Sequence, residues 1–224
     1  MGRREYGQPC SLACALDSVG ERWSLLIVRE LMLGPLRFSD LARSVGGAPT
    51  DVLTKRLRDL EADGIVARRE LDPPASASVY ELTELGRGLE RPLNELGRWG
   101  LGLQKLADVI DLQPTSLPGA LRVILEPPPD ATLTIGLRSE GHASRLRVED
   151  GWIAAERGEA IDPDLALTGT PIAVIAVLVV GEAAEQGVEI EGDRAALEAL
   201  RGMVRIPDRL REEALATLGV NAVA

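Results

Sequence analysis

Between Phe38 and Leu82 the apolar positions change period, and the change marks out the elements. Leu53, Leu57 and Leu60 recur at helical spacing and predict a helix with one buried face. Thr50, Thr54 and Arg58 form a separate polar stripe on that helix, with Asp51 and Lys55 beside it. A shorter helix with Leu41 inward precedes it, and Val45-Gly46-Gly47-Ala48 supplies a sharp turn between the two. Pro49 suits the first helical position, where its missing amide would have had no partner. Beyond Gly64, Ile65–Leu71 and Val79–Leu82 read as two strands of a hairpin with a Pro/Ser-rich tip. Arg68 and Arg69 sit on the first of these strands. Helix, turn, helix and hairpin in this order predict a winged helix-turn-helix.

The flanking elements follow from the same pattern. Ser11 is a good N-cap for a helix to Val19, with Leu12, Ala15, Leu16 and Val19 on one face and Gly20 as the stop. A second helix carries Trp23, Leu26, Ile27 and Leu31 inward and ends at Gly34-Pro35. After the hairpin, Thr83 caps a long helix to about Leu106. Leu82, Leu85, Leu89, Leu96, Trp99, Leu103 and Leu106 alternate three-four along it. Pro92 lies on that seam and predicts a kink or a break, and Gly97, Gly100 and Gly102 weaken the last turns, so an early end is expected. The stripe covers its own domain or, being longer than that requires, pairs with a second copy.

Residues 108–120 have linker composition, and beyond them alternation at every second residue takes over. Leu121/Val123/Leu125, Leu133/Ile135/Leu137, Leu146/Val148 and Leu165/Leu167 each mark a one-sided strand. Glu149-Asp150-Gly151 reads as a hairpin turn into Trp152–Glu156. Thr168-Gly169-Thr170-Pro171 starts a helix, Ile172 to Val180, that is apolar on every side and expected to be buried all round. Val188–Glu191 is a further strand, and Asp193 caps a last helix with Leu197, Leu200 and Met203 inward. The fold class is therefore α+β: a winged helix over residues 1–107, a linker over 108–120, and a sheet-and-helix domain over 121–224.

Charge changes the picture only when it is divided. The net charge of −10 looks wrong for a nucleic-acid binder. Residues 1–107, however, hold 15 Lys/Arg and 15 Asp/Glu, whereas 108–224 hold 10 and 20. Phosphate binding needs a local basic surface rather than a basic total. The polar stripe carries side chains able to meet base edges and phosphates, so double-stranded DNA is the expected partner. Two cysteines and one histidine argue for a reducing compartment. No apolar segment follows Met1–Glu5 and the longest apolar run is too short to span a bilayer, so a cytoplasmic protein with no membrane partner is expected.

Other chemistry has little support. Cys10 and Cys14 have a spacing suited to half a metal site, but no further cysteine completes it, so no metal and no cofactor is expected. Cys10 precedes a helix N-terminus that would favour a reactive thiolate; its ordinary alternative is a small buried apolar residue. Catalysis would have to use His142, which falls in a turn, so no catalytic residue is assigned and the chain is not expected to be an enzyme.

Tyr6–Cys10, Gly20–Trp23, Arg37–Leu41, Leu53–Glu61 and Tyr80–Thr83 together resemble the HxlR family of bacterial transcriptional regulators. The resemblance covers about the first half of the chain. It implies a dimer that pairs through terminal helices and sets the helix after the turn in the major groove. The matching positions are Ser39, Thr50, Asp51, Thr54, Lys55, Arg58 and, on the wing, Arg68 and Arg69. It also implies a redox role at Cys10, as in some members. In the second half, Asp164–Pro171 and Val188–Leu197 resemble the sterol-carrier-protein type 2 superfamily. That resemblance implies a sheet with helices on one side and, in some members, an apolar cavity for a small lipophilic ligand. Ile172, Ile175, Val179 and Trp152 are the candidate lining, although the apolar helix fits a solid core or a second dimer contact equally well. The leading expectation is a dimeric regulator with a sensing or dimer-extending second domain. The alternative is a carrier or interaction protein with the winged helix as scaffold.

Overall fold

Leu53, Leu57 and Leu60 are each no more than 1% exposed in the computed structural model, which describes residues 5–71 and 77–217. The chain separates into two compact units, residues 1–93 and 94–224. Residues 72–76 of the expected hairpin tip lie outside the described residues.

The first unit runs α1 (Ser11–Val19), α2 (Ser24–Leu31), α3 (Phe38–Val45), α4 (Thr50–Ala62), β1 (Val66–Glu70), β2 (Ser78–Leu82) and α5 (Glu84–Arg87). The leucines of α4 join Ile27, Val28, Leu31, Leu41, Ile65 and Leu82 in one core. β1 and β2 pair antiparallel from Val66↔Leu82 to Glu70↔Ser78, and Leu36 adds a bridge to Tyr80. The α3–α4 turn needs its glycines, because Gly46 and Gly47 both take positive φ, 60° and 70°. The Trp23 ring packs beside Gly47 from a backbone that is itself left-handed, φ 83°, an uncommon state for a bulky residue.

Five expectations change here. Pro49 is the residue before α4 rather than its first helical residue, and Thr50 opens the helix. Ser11 likewise opens α1 and Cys10 takes the cap position. On α1 only Ala13 and Val19 are buried, whereas Leu12, Ala15 and Leu16 are exposed; Leu26 on α2 is also 37% exposed. The long helix is two helices, α5 and α6 (Glu90–Leu101), separated at Gly88-Leu89. Pro92 then falls in the first turn of α6, where its missing amide breaks no hydrogen bond.

The unit boundary falls inside α6. The second unit continues with α7 (Leu106–Ile110), a 3-10 turn (Pro114–Ser116) and α8 (Leu117–Ile124). The strand expected at Leu121/Val123/Leu125 is this helix. Pro118 sits in its first turn, and Leu117, Leu121 and Ile124 are buried at helical spacing. Then come β3 (Leu133–Ser139), β4 (His142–Glu149), β5 (Trp152–Arg157), β6 (Leu165–Gly169), α9 (Pro171–Val180), β7 (Val188–Gly192), α10 (Arg194–Gly202) and α11 (Asp208–Thr217). The sheet has the order β5-β4-β3-β6-β7, with β3 and β6 parallel and the other neighbours antiparallel. Ile135, Leu137, Leu146, Val148, Ile153 and Leu167 fill its buried face, and α8, α9 and α10 pack on the sheet. No helix among the described residues is long and apolar enough to cross a membrane.

Arginines hold the helices of this unit together through backbone carbonyls. Arg98 on α6 donates to the Val123 and Leu125 carbonyls at the end of α8, 3.2 and 3.0 Å away. Gly97 lets α6 approach that closely, since a side chain there would meet Val123. At the end of α9, Arg201 donates to the Val177 carbonyl (3.0 Å) and Arg211 to the Val179 carbonyl (2.8 Å). α9 is not buried all round: Ile172, Ala173, Ile175 and Ala176 are half-buried, and the 3-10 segment Glu182–Gly187 packs alongside. That segment is tied to α10 by Glu185, which accepts from Arg194 (2.8 and 2.9 Å) and Arg201 (2.8 Å).

Arg201 first, and then Arg194, hold the Glu185 carboxyl below its usual range. A depressed folded-state pKa contributes stability that is complete above the ordinary carboxylate range and is lost as pH falls through the folded value. Acid should therefore lower the unfolding midpoint of the wild type more than that of Glu185→Gln, measured by urea denaturation at neutral and acid pH. Parallel pH profiles would show that the ion pairs contribute nothing.

Candidate nucleic-acid interface

The burial of one side of α4 fixes what the other side presents. Thr50, Asp51, Lys55 and Arg58 are exposed, and Thr54 is half-buried with its hydroxyl donating to the Thr50 carbonyl at 2.7 Å. These residues stand together on the side opposite Leu53, Leu57 and Leu60. Arg58 makes no ion pair among the described residues, whereas Lys55 is bound to Asp59 at 2.7 Å. Ser39 is exposed in the first turn of α3, where its neighbour Asp40 pairs with Arg43.

The wing divides its two arginines. Successive strand residues face opposite sides, so Arg68 and Arg69 leave the hairpin in opposite directions. Arg68 donates to the Ser78 hydroxyl at 2.5 Å, and Arg69 pairs with Glu81 at 3.0 Å. Both remain exposed. The sequence presents them as one basic pair, and the strand geometry makes them two separate contacts.

Several contributors were invisible to periodicity. Arg56 pairs with Asp59 at 2.9 Å and with Glu21 at 3.0 Å, across the first unit from α4 to the α1–α2 junction. Nothing in a helical wheel links residues 35 positions apart. Trp23 likewise touches the turn from outside it.

Cys10 and Cys14 are both exposed, which rules out the buried apolar reading. The Cys10 thiol is pushed below its ordinary value by the backbone amides of Ala13 and then Leu12 at the start of α1. In the second unit, the four candidate pocket residues do not meet. Ile172 and Ile175 are half-buried and Val179 is buried, all on α9, which packs over β6 and β7. Trp152 belongs to β5 at the far edge of the sheet, three strand spacings or about 14 Å from β6. It lines a crevice with Asn94, Arg98, Arg122, Leu125 and Pro127, and Arg122 lies over its ring at 5.1 Å. With about 10 Å³ of free volume, that crevice has room for a single water at most and not for a lipophilic ligand.

The family described as HxlR-like helix-turn-helix matches residues 18–106. An uncharacterized HTH-type transcriptional regulator of Mycobacterium bovis is 42% identical over 90 residues, covering 40% of this chain and 56% of its own. The chain thus spans little more than half the length of that relative. The Bacillus subtilis HTH-type regulator YtcD is 35% identical over 100 residues, 45% of this chain and 78% of that protein. Among solved structures, the redox regulator HypR in its oxidized form shares 32% identity over 43% of this chain and 99% of its own, with a TM-score of 0.40. The reduced form of YodB from B. subtilis shares 32% identity over 42% and 92%, with a TM-score of 0.38.

At neutral pH the lowered pKa gives Cys10 more thiolate than an ordinary thiol. Cys10 should therefore be alkylated by iodoacetamide faster than Cys14, measured by mass spectrometry of the two peptides. Equal rates would contradict the assignment.

Proposed function

The chain belongs to the HxlR-like helix-turn-helix family, and we propose that it is a transcriptional regulator that binds double-stranded DNA as a homodimer. The observation that carries the reading is the exposed polar face of α4, fixed by the burial of its leucines. A helix fits the major groove, and Thr50, Asp51, Thr54 and Arg58 supply donors and acceptors along one edge of it, with Lys55 beside them within reach of a phosphate. Ser39 lies at the N-terminus of the preceding helix, where backbone contacts are made. Arg68 and Arg69 reach phosphates to either side of the wing. The balanced charge of residues 1–107 suits a local contact, and the acidic second unit limits non-specific adhesion to nucleic acid.

Exposed apolar residues support pairing of two copies. Leu96, Trp99 and Leu103 follow three-four spacing from α6 into the residues after it, at 49%, 69% and 70% exposure. On α1, Leu12 and Leu16 are exposed as well. Such surfaces on a folded chain mark interaction sites. A symmetric dimer would present two copies of α4 to a roughly palindromic site.

The second unit extends the dimer or holds a small lipophilic effector beside α9. A five-stranded sheet with helices packed on it, and an apolar helix with a half-buried side, support this sterol-carrier-like reading. A rise in melting temperature with lipophilic compounds distinguishes the effector role from a purely structural one. Cys10 serves as a redox-responsive thiol at the start of α1.

Affinity for a promoter duplex should fall steeply with added salt, as phosphate neutralisation requires. Arg58→Ala should cost about 1–3 kcal/mol of specific binding, measured by fluorescence anisotropy, if Arg58 reads a base edge. Unchanged affinity would remove α4 from the interface. Trp99→Glu with Leu103→Glu should shift sedimentation from dimer to monomer; a variant that stays dimeric would place the contact elsewhere.

A further inference from the structure

The exposed face of α4 contains an ion chain that DNA contact alone does not explain. Lys55 Nζ donates to Asp59 Oδ2 at 2.7 Å, and Arg56 Nη1 donates to the same oxygen at 2.9 Å. Arg56 Nη2 donates to Glu21 Oε2 at 3.0 Å, on the segment joining α1 to α2. The Arg56 side chain is only 15% exposed, and its buried Nε has no hydrogen-bond partner among the described residues. Both of its amino groups thus face carboxylates of the protein itself. Arg56 is committed inward, although it follows Lys55 of the outward face directly.

Lys55 is held far less firmly. Its side chain is half-exposed, and the Asp59 oxygen that binds it is already shared with Arg56. A lysine four residues ahead of an aspartate is also the weaker orientation for a helical pair. Exposed pairs of this kind contribute little and exchange partners readily.

We infer that Asp59 regulates the DNA affinity of α4 by holding Lys55 back from the phosphate backbone, and that Arg56, anchored on Glu21, competes with Lys55 for the same Asp59 oxygen and so limits that hold. On a duplex, a phosphate oxygen replaces the Asp59 carboxylate at Lys55 Nζ, while the Arg56 bridge stays intact. Arg56 draws part of the Asp59 charge toward itself, which loosens Lys55. Loss of the guanidinium leaves Asp59 wholly to Lys55 and weakens binding. The contact that Lys55 gains is to the backbone and carries no sequence information. Asp59 therefore sets the strength of binding without altering the preferred sequence. The inference rests on the DNA-binding reading given above.

The test uses the full chain and a duplex enriched from a random-sequence pool by the wild type, with an unrelated duplex of equal length beside it. Asp59→Asn should tighten binding to both duplexes about two- to fivefold. In a Lys55→Ala background the same substitution should leave affinity unchanged. Arg56→Gln should weaken binding when Lys55 is present and have no effect when it is absent. Should Asp59→Asn lower the melting temperature, Asp59→Ser at this half-exposed position gives the same reading. An equal gain with and without Lys55 would reduce Asp59 to a general repulsive charge and overturn the inference alone, as would no gain in either background. Failure of the wild type to enrich any duplex overturns the DNA-binding reading, and this inference with it.

Discussion

The burial of Leu53, Leu57 and Leu60 against Ile27, Leu31 and Leu41 is the interaction on which the first unit depends. Each fully buried leucine contributes about 1.5–3 kcal/mol, so rotating α4 about its axis would sacrifice several such contacts together. The helix has one available orientation, and Thr50, Asp51, Lys55 and Arg58 are outward because the leucines are inward. Hydrophobic burial thus positions the polar chemistry, although it takes no part in that chemistry. The glycine turn and the Trp23 ring behind it fix where the helix begins, and the Arg56 bridge to Glu21 fixes its face from the side.

Ion pairs and carbonyl contacts play a different part in the two units. In the first, they engage charges of the proposed DNA-facing surface: Asp59 is shared by Lys55 and Arg56, and Glu81 pairs with Arg69. In the second, arginines bind the ends of helices. Arg98, Arg201 and Arg211 all donate to backbone carbonyls of the final turns of α8 and α9 or just beyond. A helix as apolar as α9 offers no side-chain oxygen to satisfy neighbours, so its exposed carbonyls are the polar groups available for docking. The acidic excess of residues 108–224 leaves these few cations heavily used within the unit.

Much of this was legible in the sequence, for physical reasons that differ by element. The winged helix was readable because its signals agree: leucine spacing, a double-glycine turn and alternating strands all point to one arrangement. The strands of the second unit were readable because one face of the sheet is buried, which forces alternation. Leu121/Val123/Leu125 misleads because three alternating apolar residues are too few to set the period: the helical face is Leu117, Leu121 and Ile124, and Val123 falls off it, half-buried. The break in the long helix falls at Gly88-Leu89 rather than at Pro92, which looks like an interior break only when the start of the helix is placed at Thr83. Moving the start to Glu90 makes it harmless. Side-chain gathering was least legible: Trp152 and α9 fall at opposite edges of the sheet, and Arg56 meets Glu21, only because the tertiary fold says so. Exposure of Leu12 and Leu16 was equally hidden, since an amphipathic pattern does not reveal which partner covers it.

The central claim is that the face of α4 opposite its buried leucines lies in the major groove, once in each copy of a dimer. Dimethyl sulfate methylates guanine N7, which opens into that groove. On a duplex enriched by the full chain, the account predicts protected guanines in two clusters about one helical turn, roughly 10 base pairs, apart. It also predicts that Arg58→Ala, with the protein kept at saturating concentration, restores methylation at one position in each cluster. Guanine N7 left fully reactive under bound protein would contradict it, because the helix would then be absent from the groove.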